Sequence, residues 1–145
     1  MMNMDKSTER PFTGIIESLK VVGLRPTRQR LALAKLLFED GDRHVTAETL
    51  HSEVLDANIR VSLATVYNTL HQFTSSGLLR EVIVDSGRAY FDTNTSDHHH
   101  FFDESSGELT DIGPDAVSLV DLPALPQGSM LSRVDVVVRV RPTDI

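Results

Sequence analysis

The chain has 145 residues, 40% of them hydrophobic and 24% charged, which suits one ordinary soluble domain or two small ones with an apolar core. It contains no cysteine, which excludes disulfides, iron–sulfur clusters and thiolate zinc sites, so any metal must be held by nitrogen and oxygen. The net charge of −7 is unevenly placed: residues 1–90 hold 11 Lys and Arg against 11 Asp and Glu, whereas residues 91–145 hold 3 against 10. That asymmetry suggests two modules, one able to approach phosphate and one suited to cations.

The apolar runs, such as VSLVDLPAL and VDVVVRV, are short and interrupted, far from the ~20 residues of a membrane span. The opening MMNMDKSTERPF has no apolar signal-peptide core, so the expected location is the cytoplasm, with no membrane partner.

Along the chain, Phe12, Ile15, Ile16, Leu19 and Val22 recur at helical spacing, and Gly23 closes this first helix. In LRPTRQRLALAKLLFED, Pro26 lies near a helix start, Leu31, Leu33, Ala34, Leu37 and Phe38 form an apolar stripe, and Gly41 follows the end. The first turn of this helix is expected to hold Arg25, Arg28 and Arg30. HVTAETLHSEVLDAN offers Thr46 as N-cap and Glu48 against the helix dipole. VSLATVYNTLHQFTSSG offers Ser62 as cap, Leu63, Val66, Leu70 and Phe73 as the buried stripe, and Gly77 as the stop. Then LLREVIVDSGRAYFDT reads as two extended runs around a DSG turn, a β-hairpin. Helices followed by a hairpin give the order of a winged helix-turn-helix.

The polar DTNTSD marks a boundary, which divides the chain into a winged-helix domain over 1–92, a linker over 93–97 and a second domain over 98–145. In the latter, HHHFF and ELTDI read as short strands, RVDVVVRV as a longer one, and GPDAVSLVDLPALPQG as a brief helix curtailed by three prolines. The fold class is therefore α+β, with a small C-terminal α/β dimerisation domain. Three strands are too few to fold well alone, which points to a homodimer.

Two sets of side chains carry chemistry. Ser62, Thr65, Tyr67 and Asn68 project from the fourth helix opposite its apolar stripe, where a recognition helix reaches base edges, and Asn suits adenine. Arg25, Arg28 and Arg30, with Lys20 and Arg10, are candidates for phosphate contacts. Ordinary solvated helix faces carry similar charges; the hairpin with Arg88 favours double-stranded DNA as partner. The second set is the run His98, His99 and His100 among Asp92, Asp97, Asp103, Glu104, Glu108 and Asp111. In a strand His98 and His100 share one face and His99 takes the other. Imidazole suits iron, zinc, manganese and haem alike, and the carboxylates tilt the set toward harder ions. His51 and His71 read as surface or hydrogen-bonded helix residues. An enzyme is not expected, since no phosphate loop or nucleophile motif is present.

Taken together, LRPTRQRLALAKLLFE, HVTAETLHSEV, LATVYNTLHQFTSSGLL and GRAYFDT, followed by a histidine-rich strand, resemble the ferric uptake regulator family of bacterial metalloregulators over about residues 14–112. The segment HHHFFDESSGELTDI looks most like the iron response regulator branch of the rhizobia and their alphaproteobacterial relatives. The family's usual Cys-x-x-Cys pair falls on Asp103 and Ser106, so the resemblance implies no structural cysteine zinc site. It implies a regulatory site for a divalent metal (Mn2+ or Fe2+, with Zn2+ a substitute in vitro) made of His44, Asp92, His100 and Asp111, with Asp at two positions where the family more often has Glu. A second family site using His98 is expected to be incomplete, because its later positions fall near Ser118 and Val134.

The branch associates the triple histidine with haem, which makes His98, His99 and His100 candidate haem ligands and haem a candidate effector. The implied function is an iron- and haem-responsive regulator that binds promoter iron-control elements as a metal-loaded homodimer and loses DNA when haem binds. The alternative is a metal-responsive repressor without haem sensing. Asn68 stands where many members have Arg, so the target sequence is expected to differ from the general family box.

Overall fold

A computed structural model of the chain describes residues 13–118 and 121–144. The first helix, α1 (Thr13–Val21), buries Leu19 and ends where Gly23 takes a φ of +83°, a conformation that Cβ disfavours. There the Gly23 and Leu24 N–H groups donate to the Lys20 and Leu19 carbonyls. Phe12 and Arg10 lie outside the described residues. The helix α2 (Arg28–Phe38) is capped by Thr27, whose hydroxyl accepts from the Arg30 N–H, and it buries Leu33, Ala34 and Leu37. Arg25 therefore precedes the cap instead of sitting in the first turn. Thr46 caps α3 (Ala47–Asp56), which buries Ala47, Leu50 and Val54. Ser62 caps α4 (Leu63–Ser75), which buries Val66, Thr69, Leu70 and Phe73; Leu63, expected in that stripe, is only partly buried.

Between α2 and α3 runs a two-residue strand, β1 (His44–Val45), that no periodicity announces. The hairpin consists of β2 (Arg80–Asp85) and β3 (Arg88–Asp92), and the Gly87 N–H donates to Asp85 Oδ1 at its turn. β1 pairs antiparallel with the outer side of β3, giving the sheet order β1-β3-β2. This register sets His44 opposite Asp92, and Arg80 on β2 stands opposite the same Asp92. Leu19, Leu33, Leu37, Leu50, Val54, Val66, Leu70, Phe73 and Phe91 close one apolar core beneath the helices.

The chain divides into two units between Thr95 and Ser96. The second unit is a sheet of β4 (His99–Asp103), β5 (Leu109–Ile112) and β6 (Val137–Val140) in the order β5-β4-β6. β4 runs antiparallel to β5 and parallel to β6, so the chain crosses over between β5 and β6. Among the described residues, the brief helix expected in that crossover is a 3-10 turn over Pro114–Ala116, consistent with the prolines that follow at 123 and 126. β6 is also shorter than RVDVVVRV suggests, because its partners on β4 are limited to His100–Asp103. The apolar residues buried here are Phe102, Leu109 and Ile112.

Candidate metal centre and nucleic-acid interface

In the first unit, strand pairing brings an imidazole to a carboxylate. His44 and Asp92 face each other across β1 and β3, on the same face of the sheet, with Nε2 3.3 Å from Oδ2. The Asp92 side chain is 1% exposed, and its other oxygen accepts from the Asn94 N–H at 2.9 Å. A buried carboxylate fixed through one oxygen presents the second in a defined direction.

In the second unit, His100 is the cross-strand partner of Asp111, and its Nε2 lies 3.5 Å from Asp111 Oδ1. His98, two residues earlier, shares that face as strand alternation requires. Its ring centroid is 4.5 Å from that of His100, and its Nε2 is also 3.5 Å from Asp111 Oδ1. The Ser96 carbonyl, which can only accept, lies 2.6 Å from His98 Nδ1, so Nδ1 carries the proton and Nε2 presents its lone pair to the cluster. His98, His100 and Asp111 thus offer two imidazole nitrogens and a carboxylate oxygen within 4.8 Å of one another.

Sequence reasoning separated His98 from the His100 and Asp111 set, although the two-residue period already put both histidines on one side. His99 points elsewhere: its Nδ1 accepts from the Val136 N–H at 3.2 Å, which places the proton on Nε2. His98, His99 and His100 are 4%, 9% and 1% exposed, so all three imidazoles are buried.

The donor chemistry of both sets fits a divalent ion of borderline to hard character, since neutral imidazole and carboxylate suit Mn2+, Fe2+ and Zn2+ and no soft sulfur ligand is present. In each set a ligand atom is oriented by a backbone group, as metal-holding side chains usually are.

The candidate DNA face lies on α4 and on the start of α2. Ser62 is committed to capping α4, its Oγ accepting from the Thr65 N–H at 3.1 Å, with the Thr65 hydroxyl 3.0 Å away. Tyr67 and Asn68 are exposed. The Tyr67 hydroxyl donates to Glu48 Oε2 at 2.8 Å, and this bond holds the phenol above its ordinary pKa. Glu48, read from sequence only as a helix-dipole residue, therefore ties α3 to α4. Arg25 and Arg28 are exposed, whereas Arg30 is turned inward, donating to Gln72 Oε1 and to the Arg25 carbonyl. His51 donates from Nε2 to the Val61 carbonyl at 3.0 Å, and His71 packs edge-on against Phe91.

Three capped helices and a β-wing make the first unit a winged helix, and histidine–carboxylate sets offer donors that could hold a divalent ion. A profile described as the ferric uptake regulator family matches residues 21–126, and the chain belongs to that family. It is 37% identical over 81 residues to the ferric uptake regulation protein of Bordetella parapertussis, covering 56% of this chain and 58% of that protein. The chain thus spans a little over half the length of that relative. To the ferric uptake regulation protein of Vibrio cholerae it is 30% identical over 102 residues, covering 70% and 68% of the two chains.

Among solved structures it is similar to the ferric uptake regulator of Pseudomonas aeruginosa with manganese, at a TM-score of 0.65 and 25% identity over 88% of this chain and 97% of that one. The Vibrio cholerae regulator matches in fold at a TM-score of 0.71 and 23% identity, covering 88% and 98%. The family consists of transcription regulators and not of enzymes. Among the described residues, no helix is long and apolar enough to cross a membrane.

Proposed function

We propose that this protein is an iron-responsive transcriptional regulator of the cytoplasm that binds promoter iron-control elements as a homodimer when loaded with a divalent ion. The observation that carries the reading is the His44–Asp92 pair, oriented across two strands at the end of the wing of a helix-turn-helix unit. His44, Asp92, His100 and Asp111 hold the ion, with His98 as an added donor on the second unit. When bound, the ion would supply positive charge to balance the carboxylates of Asp92 and Asp111. Ligands from the DNA-binding unit make occupancy a bias on that unit's orientation, and in a symmetric dimer this sets the separation of two recognition helices. Tyr67 and Asn68 read bases, Ser62 and Thr65 set the start of the reading helix, Arg25 and Arg28 serve the phosphates, and Arg30 braces that surface through Gln72 and the Arg25 carbonyl.

Haem is the opposing effector in this reading. His98 and His100 both aim Nε2 at Asp111, so either imidazole, if it held haem iron, would no longer be available as a donor to the divalent ion. His99 joins them only by giving up its bond from the Val136 N–H.

Fluorescence anisotropy of an iron-control-element duplex tests both parts, using chelated protein, Mn2+-loaded protein and Mn2+-loaded protein with haem. A random duplex at the same salt measures the background from phosphate contacts. Specific binding should appear with Mn2+ and vanish with haem. Binding that needs Mn2+ but ignores haem leaves a metal-responsive repressor, and specific binding indifferent to both removes the reading.

A further inference from the structure

His44 sits on a strand of only two residues, paired to β3 at two positions, and so short a strand fixes a side chain poorly on its own. The residue before it supplies what the strand lacks. The Arg43 guanidinium grips Glu53 on α3 through both nitrogens, Nη1 to Oε1 at 2.9 Å and Nη2 to Oε2 at 2.6 Å, and Nη1 also donates to the Leu36 carbonyl in α2 at 3.0 Å. Its backbone is stitched to the residue that follows Asp92: the Arg43 N–H donates to Thr93 Oγ1 at 2.9 Å, and the Thr93 N–H donates to the Arg43 carbonyl at 3.1 Å. One residue therefore ties together, through its side chain, the last turn of α2 and the middle of α3 and, through its backbone, the two chain segments that carry His44 and Asp92. A forked, charge-assisted pair of this kind specifies geometry more tightly than a single bond does.

We infer that Arg43 and Glu53 are positioning residues for the metal: the clamp between them holds His44 and Asp92 at ligand separation before any ion arrives. Neither residue offers a donor to the ion, and both act through the backbone of β1 and Thr93. The inference rests on the metal-responsive reading above and adds to it a defined cost of losing preorganisation. Supporting groups around metal ligands typically govern affinity by about tenfold or more. The helix that anchors the clamp, α3, is also the one whose Glu48 holds Tyr67.

The experiment uses the full chain with Glu53→Gln, which keeps the size of the side chain and removes its charge, and with Arg43→Lys, which keeps the charge and removes the fork. Lys35→Ala, at the exposed Lys35–Glu39 pair on α2, is the control. Two quantities are read: Mn2+ affinity by calorimetric titration, and hydrogen exchange of the Arg43 and Thr93 amides in chelated protein, with the Leu70 and Phe73 amides reporting the core.

Glu53→Gln should weaken Mn2+ binding about tenfold and speed exchange at Arg43 and Thr93 while the core amides keep their protection; Lys35→Ala should change neither. Arg43→Lys should shift both readouts in the same direction, and it carries the test if Glu53→Gln opens the core. Unchanged Mn2+ affinity in both variants overturns the inference, whether or not the two amides exchange faster. Wild-type protein that takes up no Mn2+, with exchange still faster in the variants, sinks the metal-responsive reading and leaves the clamp as a device for holding β1.

Discussion

The interiors of the two units are built from different materials. The first packs Leu33, Leu37, Leu50, Val54, Val66, Leu70 and Phe73 from three helices into one apolar cluster, the usual source of folding free energy. The second buries Phe102, Leu109 and Ile112 beside His98, His99 and His100, so imidazole occupies space that hydrocarbon would otherwise fill. Buried imidazole contributes little hydrophobic gain and demands partners for its nitrogens. A three-stranded sheet with such an interior is small for independent stability. The contrast teaches that the first unit rests on apolar packing, whereas the second gives buried volume to imidazoles whose nitrogens need partners.

Truncating the first core should produce the largest effect. Phe73→Ala removes a fully buried ring and should cost about 3–5 kcal/mol, read by urea denaturation and equal in chelated and Mn2+-loaded protein. A loss of only ~0.5 kcal/mol, the size of a surface substitution, would break the contrast from the first side. Metal addition attacks it from the second. Mn2+ at a hundred times its dissociation constant should stabilise wild type by roughly 2.7 kcal/mol, and His100→Ala should abolish that increment. If the increment survives in His100→Ala, the buried histidines are not where the ion gains its hold.

The smaller effects lie at the DNA face. Tyr67→Ala should weaken binding to a specific duplex by ~1 kcal/mol or more and leave a random duplex nearly unaffected. Arg28→Ala should weaken both duplexes alike and reduce the salt slope by about 0.9. Anisotropy across a salt series separates the two, and equal losses on both duplexes for Tyr67→Ala would remove it from base readout.

Much of the first unit was legible because its signals are local. Thr46 and Ser62 cap the helices they were expected to cap, Gly23, Gly41 and Gly77 take positive φ at helix ends, and DSG turns the hairpin. β1 was not legible, since two residues carry no period and their strand character exists only through pairing with β3. The partners Glu48 for Tyr67 and Glu53 for Arg43 were invisible for the same reason: each contact depends on how two helices or a helix and a strand pack.

In the second unit, strand alternation correctly put His98 beside His100, yet the ligand set implied by the family left His98 out. The overlong reading of β6 has a different origin. Alternation in RVDVVVRV begins before the first residue paired to β4, Val137, and a strand extends only as far as its hydrogen bonds.

The smallest expected effect concerns the turn between β4 and β5. Asp103 Oδ1 accepts from the Ser105 hydroxyl at 2.7 Å, from the Ser105 N–H at 2.9 Å and from the Ser106 N–H at 3.3 Å. These bonds, led by the Ser105 hydroxyl, favour the charged form and hold the carboxyl below its usual range. A carboxylate whose pKa is lower in the folded state binds its proton more readily when unfolded. Its stabilisation is therefore fully present above the unfolded value of about 3.9 and is lost as pH falls through the lower folded value. Asp103→Asn keeps an accepting oxygen and removes the charge, so it should lower the thermal midpoint slightly at pH 7. The gap to wild type should then narrow as pH is lowered toward ~3. A gap that stays constant over that range would mean that the turn depends on the shape of the side chain and not on its charge. The second unit would then owe this turn to hydrogen-bond geometry alone, as the first unit does at its Thr and Ser caps.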